Sequence, residues 1–245
     1  DEYMVSGSNI GVSGDSSRTV SAWVNLDDNP SFGNIYDIIS YGAFSTANYF
    51  EYGIYNDSGT VKAWANLYGE DTSVAQTFTA GTWYYYTVVF TKSASGQGTL
   101  KLYINGSLIQ TSGTLGTSNA VNTTDDQLDI GRRNGGSGYF NGKIGQVAFY
   151  NKALSATEVG AIYSLGRHGN LLDSYSDNCV GLWAMSALDA STGLKDVGNG
   201  TIYDRSGQSN HGTATNTEAA DLASSPNAEP NGYEKGDTNR STTIP

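Results

Sequence analysis

The sequence predicts an all-β protein, an antiparallel β-sandwich of the jelly-roll kind carrying one short helix. Three observations predict it. Short runs of apolar alternation recur along residues 1–150, broken by clusters of Gly, Asn, Asp and Ser, with no βαβ spacing. The composition holds 31 Gly and 17 Tyr with only 15% charged residues in 245, the balance of a turn-rich, aromatic-rich protein with a polar but uncharged surface. A single well-marked helix follows the last strand of this series.

Strands are expected near 2–6, 19–26, 35–41, 48–55, 60–67, 83–91, 99–104, 107–111, 127–131 and 143–150. Asn105-Gly106 between two apolar-alternating runs is the signal of a type I′ hairpin, which needs positive φ at both turn residues. In the last strand Ile144, Val147 and Phe149 depart from strict alternation, so a bulge or kink belongs near Gly145. Ser155 then reads as a helix N-cap with Glu158 as its capping-box partner, Leu154 and Val159 as a hydrophobic staple, and Gly166 as the C′ stop. Val159, Ile162 and Tyr163 give that helix one apolar face. Residues 168–178 read as a linker. Residues 213–245, with Pro226, Pro230 and Pro245 among Ala, Asn, Thr, Glu and Ser, read as an extended polar arm.

The segment carrying Phe140, Gly142, Ile144, Val147, Phe149, Tyr150, Leu154, Ser155, Glu158 and Val159 resembles the closing segment of laminin G-like domains of the concanavalin A-like lectin/glucanase class. Asp1-Glu2-Tyr3-Met4-Val5, Thr19-Val20-Ser21-Ala22-Trp23-Val24, Gly81-Thr82-Trp83, the hairpin from Leu100 to Gly106 and Asp129-Ile130-Gly131 resemble other strands of that family, in the family's order. Val180, Gly181, Trp183, Tyr203, Asp204, Ser206, Gly207, Asn210, His211 and Gly212 resemble the family's opening strand, which here comes last. The resemblance implies a concanavalin A-like jelly roll with a displaced first strand. The expected organisation is a main body over 1–166, a linker over 167–178, an opening-strand motif over 179–212 that completes the sandwich, and the polar arm over 213–245. The strand either folds back within its own chain, which an 11-residue linker reaching roughly 36 Å allows, or is donated to a neighbour. Trp23, Trp83 and Trp183 match core positions of the family.

A net charge of −11 argues against nucleic-acid partners and anionic membranes. No run approaches the roughly 20 apolar residues of a membrane span. The chain opens at Asp1 without an initiator Met, which reads as processed or as a portion of something longer. One cysteine, Cys179, excludes an internal disulfide and reads as a buried thiol.

Glucanases of this fold are implied to use a clustered carboxylate motif, E-x-D-x-x-E, and no such run exists here. Glu70-Asp71, Asp27-Asp28 and Asp125-Asp126 are adjacent pairs, which in a strand point to opposite faces. His168 and His211 have no Ser or Cys partner in view. Sugar binding needs an aromatic face with amides and carboxylates beside it. In residues 61–68, Val61, Ala63, Ala65 and Leu67 share one face and Lys62, Trp64, Asn66 and Tyr68 the other, so Trp64, Asn66 and Tyr68 are the expected sugar platform, with Tyr49 and Glu51 on a second mixed face. Burial of Trp64 by a loop is the competing reading. Relatives are implied to carry Ca²⁺. Its ligands here would be loop oxygens of Asp27, Asp28, Asp204 and Asn210, residues that equally suit ordinary Asx-turns. Asn56, Asn105, Asn122, Asn199 and Asn239 begin glycosylation sequons.

The reading expected from the sequence is a non-enzymatic, lectin-like module for glycan binding or adhesion, extracellular or on a cell or virion surface. Its partners would be glycans or neighbouring subunits of the same protein. The alternatives are a structural subunit of a virion, tail or filament, and a glycoside hydrolase.

Overall fold

A computed structural model describes residues 2–67, 69–167, 169–185 and 200–216. In chain order its elements are β1 (Tyr3–Ser6), β2 (Arg18–Leu26), β3 (Ile35–Gly42), β4 (Tyr49–Asp57), β5 (Thr60–Asn66), β6 (Asp71–Ala75), β7 (Trp83–Ala94), β8 (Gln97–Ile104), β9 (Ser107–Thr111), β10 (Leu128–Ile130), β11 (Gly142–Tyr150), α1 (Ala156–Ser164), α2 (Leu172–Tyr175), β12 (Cys179–Trp183), β13 (Thr201–Ile202) and β14 (Gly212–Thr215). They form a sandwich of two antiparallel sheets. One has eight strands in the order β13-β14-β1-β10-β3-β4-β5-β6, the other six in the order β12-β11-β2-β7-β8-β9.

The core between the sheets follows from period-two alternation. Val20, Ala22 and Val24 of β2, Tyr86, Val88 and Phe90 of β7, and Leu100 and Leu102 of β8 meet Ile39, Tyr41, Phe50, Tyr52, Ile54, Ala63 and Ala65 of the larger sheet. Burying each large apolar side chain contributes about 1.5–3 kcal/mol. The smaller sheet is covered on its other face too. There Trp23, Tyr85 and Tyr150 pack with Val159 and Ile162 of α1 and with Leu171 and Leu182. That double cover is why every residue of β2 is buried. Cys179 lies in this second core, and burial pushes its thiol up to about 12.

The marked junctions form as their chemistry dictates. Asn105 and Gly106 take φ of 51° and 77°, the type I′ geometry, and a Cβ on Gly106 would stand 3.2 Å from the Gly160 Cα of α1. The β11 register shifts between Gly145 and Ala148, with Gln146 at φ 40°. Ser155 and Glu158 make the reciprocal capping box, and Gly166 stands past the last turn at φ 76°. The Glu158 carboxyl is drawn down to about 2 by hydrogen bonds from Lys152 and the Ser155 backbone.

The segment after α1 returns to its own chain and adds strands to both sheets. β12 pairs with β11, placing Trp183 beside Val147 and Leu182 beside Ala148. β14 pairs with β1, from Tyr3 opposite Thr215 to Ser6 opposite Gly212, and β13 pairs outside β14. Trp183 is wholly buried and its Nε1 donates to the Asn210 carbonyl at 2.9 Å. Three details differ from the sequence expectation. The linker contains the short helix α2. Thr213–Thr215, expected in the polar arm, lie in β14. β6 went unread because only Thr72 and Val74 of its five residues turn inward. The remainder of the expected arm, 217–245, lies outside the described residues, as do Asp1, His168, Asn199 and Asn239.

Three outcomes follow for stability. Ser155→Ala is expected to cost about 1 kcal/mol, read as a lower denaturation midpoint, because it leaves the α1 N–H groups uncapped. The Glu158 contribution is present above its unfolded value of 4.5 and is lost as pH falls toward about 2. A chain cut after Gly166 is expected to lose cooperative unfolding, since both β11 and β1 then present open edges. Adding the separate 167–245 peptide should restore it. An unchanged midpoint in the cut chain would show that β12 and β14 contribute nothing.

Candidate functional site

The face of β3, β4 and β5 turned away from the core is where the sequence places a sugar platform. The alternation is as expected: Ala63, Ala65 and Leu67 join the core, while Lys62, Trp64 and Asn66 fall on the opposite face. The expected openness is not there. Trp64 is 7% exposed, Glu51 1% and Tyr49 0%. Glu51 and Tyr49 are closed in by the segment 131–139 after β10, which lies across part of this face. Arg133 donates from Nε to Glu51 Oε2 at 2.8 Å and from Nη2 to Oε1 at 3.3 Å. Asn134 N donates to Ser40 Oγ at 2.8 Å and to the Tyr49 hydroxyl at 3.2 Å. Asn66 Nδ2 adds a bond to Glu51 Oε1 at 2.9 Å. Trp64 sits beside Tyr55, with ring centroids 6.4 Å apart. Tyr68 lies outside the described residues.

Beneath the same segment lies Asp37, fully buried, with Arg133 Nε at 3.5 Å. Its backbone N–H donates to the Gly138 carbonyl at 2.7 Å. Gly138 has φ 60°, and a Cβ there would stand 1.9 Å from the Asp37 carboxylate, so only glycine fits. Burial, then the neighbouring Glu51 charge, raises the Asp37 carboxyl well above its ordinary 3.8. One guanidinium thus faces two acids, and burial beside the Glu51–Arg133 ion pair favours the protonated form of Asp37. A hydrolytic acid pair must reach a substrate, and these two carboxyls are closed in.

Of the residues named for Ca²⁺, Asp28, Asp204 and Asn210 are engaged in hydrogen bonds within the fold. Asp204 Oδ1 accepts from Leu182 N and Ser206 N, both at 2.9 Å, and Oδ2 from Ser206 Oγ and Asn210 N, both at 2.9 Å. A cation at this carboxylate would have to displace those donors. Asn210 Nδ2 donates to the Val180 carbonyl at 2.9 Å, and His211 Nδ1 accepts from Asp204 N at 3.1 Å. Asp28 Oδ1 accepts from the Tyr36 hydroxyl at 2.6 Å and Asn141 Nδ2 at 2.8 Å, which together hold its carboxyl below 3.8. The adjacent Asp27 is exposed and donates its backbone N–H to the Asn141 carbonyl at 3.2 Å. Among the described residues no three His, Cys, Asp or Glu side chains gather where a metal ion could be held.

An open cleft of about 630 Å³ lies instead among loops at one end of the sandwich, within the size range of ligand sites. The β1–β2 loop brings Asp15, the β3–β4 loop Thr46 and Asn48, the β7–β8 turn Ser95, and the β9–β10 loop Asn119 and Asn122. Backbone bonds lock these loops together: Gly14 N to Thr123 O at 2.7 Å, Val121 N to Gly96 O at 2.8 Å, and Asn122 N to Ala47 O at 2.9 Å. Asp15 joins two of them, accepting from Gly96 N at 2.6 Å and from Lys92 Nζ at 2.7 Å. Under the β1–β2 loop lies Arg18, wholly buried. It donates to the carbonyls of Gly14 at 2.7 Å and Ser16 at 2.8 Å and to the Tyr41 hydroxyl, and its guanidinium stands 5.3 Å from the Phe90 ring centre. The sequence analysis did not single out this cleft, because its amides come from loops far apart in the chain and look there like ordinary turn residues.

A family model described as the concanavalin A-like lectin/glucanases superfamily matches residues 2–160. Among solved structures, the chain is similar to a protein of Bacteroides ovatus ATCC 8483 proposed to bind carbohydrate, at 16% identity and a TM-score of 0.58, covering 88% of this chain and 56% of that one. It thus spans little more than half of that protein. It is also similar to domain 4 of AbnA, a GH43 extracellular arabinanase of Geobacillus stearothermophilus in complex with arabinotriose, at 16% identity and a TM-score of 0.48, covering 64% of this chain and 71% of that one. A third is the CBM40 of the Ruminococcus gnavus IT-sialidase bound to α2,3-sialyllactose, at 18% identity and a TM-score of 0.47, covering 60% and 82%. At these identities the likeness is one of fold. No curated protein sequence matches the chain.

The buried acid pair has a measurable consequence. Because the folded-state value of Asp37 is raised, the stability it carries is present below 3.8 and is lost as pH rises from there through the folded value. Asp37→Asn keeps the neutral form at every pH and supplies an N–H toward Glu51. It is therefore expected to melt higher than the parent at neutral pH, with the difference closing in acid. A variant that melts no higher than the parent at neutral pH would show that Asp37 is not held protonated.

Proposed function

We propose a glycan-binding, non-catalytic role for this chain, which belongs to the concanavalin A-like lectin/glucanases superfamily. The observation that carries it is the loop-end cleft, whose lining of side-chain amides and hydroxyls from Thr46, Asn48, Ser95, Asn119 and Asn122 matches the donors and acceptors of sugar hydroxyls. The buried Asp37 and Glu51 support the non-catalytic part of the reading: these two acids of the outer sheet face are tied to Arg133 and shut from solvent. Among the described residues no helix is long and apolar enough to cross a membrane. The setting we propose is extracellular, with the module presenting its loop end to glycans.

The test is glycan binding measured on an array and by NMR titration. The parent is expected to bind, and the double variant Asn119→Ala/Asn122→Ala is expected to lose that binding while melting within about 0.5 kcal/mol of the parent, since both residues are exposed. Binding that survives the double variant would move the site elsewhere. Release of reducing sugar from a bound glycan, abolished by a single Asp or Glu substitution, would overturn the non-catalytic reading.

A further inference from the structure

We infer that the cleft selects neutral glycans, reads them by their hydroxyls alone, and discriminates against sialylated, uronated or sulfated forms of the same sugars. This rests on the reading of the cleft as the glycan site. Two features of its lining carry it. The first is charge. Among the described residues lining the cleft none is Lys, Arg or His, and the one charged side chain is Asp15. The nearby cation, Lys92, is already committed to Asp15 at 2.7 Å. Arg18 beneath is wholly buried, with its donors turned to Gly14, Ser16 and Tyr41, so it offers no N–H to a guest. Glu70, which accepts from Gly116 N at 3.0 Å and orders the loop leading to Asn119, adds a further acid beside the site. A carboxylate or sulfate entering here would shed water against a lining that carries Asp15, beside a half-exposed Lys92 already paired with that acid.

The second feature is the absence of a ring. Among those same residues none is Trp, Tyr or Phe. Trp64 and Tyr49 are closed in on the sheet face, and the exposed rings of Phe32 and Phe44 are not among the lining residues. Recognition in the cleft is therefore left to the amides and hydroxyls, each of which pairs with a hydroxyl at a defined position. Loss of one sugar hydroxyl leaves one of these groups unpaired, whereas a stacking platform would tolerate it.

The experiment is an array printed with matched neutral, sialylated, sulfated and uronated versions of each glycan, followed by titration of the best neutral binder and its monodeoxy analogues. Neutral forms are expected to bind about tenfold or more tightly than their anionic counterparts, the scale of one uncompensated charge at short range. Asp15→Asn should narrow that gap, and at least one monodeoxy analogue should bind about tenfold more weakly. Anionic glycans that bind as well as neutral ones, in a manner that Asn119→Ala/Asn122→Ala abolishes, would leave the cleft as the glycan site and overturn its selectivity. Binding that survives the double variant, or none to any printed glycan, would overturn both.

Discussion

The Asp204 carboxylate holds the two sheets' added strands in one piece. Its four donors come from β12 of the smaller sheet and from the turn that leads to β14 of the larger one. A carboxylate accepting several N–H bonds is among the stronger anchors a loop can have. Here it fixes the distance between two strands that belong to different layers. Trp183 then fills the space between, its ring in the core and its N–H on Asn210. Without this turn, β11 and β1 would each be an open edge.

The two ends of charge management in this chain explain each other. A protein with few charged residues cannot scatter ion pairs over its surface, and several of those it has are structural. Arg133 spends its guanidinium on Glu51 and Asp37, Arg132 on Asp129 and the Tyr3 ring, and Arg18 on carbonyls and aromatic faces. Part of the outer sheet face is thereby covered, and an open cleft lined by amides lies among the loops at one end of the sandwich.

Much of the sandwich was legible because alternation is enforced by burial: a strand that buries one face against a core must repeat every second residue. The capping box, the Asn105-Gly106 turn and the β11 bulge were legible because each requires a particular chemistry at a particular place. β6 was not, because an edge strand with one buried threonine and a half-buried valine has almost no pattern to show. The sugar platform was half legible. Alternation told which residues share a face with Trp64, but not what lies over that face. The one sequence signal for the cover was the Arg132-Arg133 pair in a chain poor in charge, opposite Glu51 and Asp37 on strands far earlier in the chain. Asp204 and Asn210 belonged to a motif that the sequence resemblance marked. The Asp204 oxygens hold backbone N–H groups and those of Asn210 hold the Ser8 and Trp183 side chains, uses that composition alone does not separate from metal binding.

The pairing of Tyr3 with Thr215 has a mechanical consequence. β1 and β14 run antiparallel, and the start of one lies against the end of the other. Tension applied through the chain on the two sides of this pair would load its hydrogen bonds one after another, from Tyr3–Thr215 to Ser6–Gly212, rather than all at once. The sandwich is thus a zipper along this seam, soft to a pull from both flanks, while the β2–β7 and β7–β8 ladders behind it stay unloaded until the seam has parted.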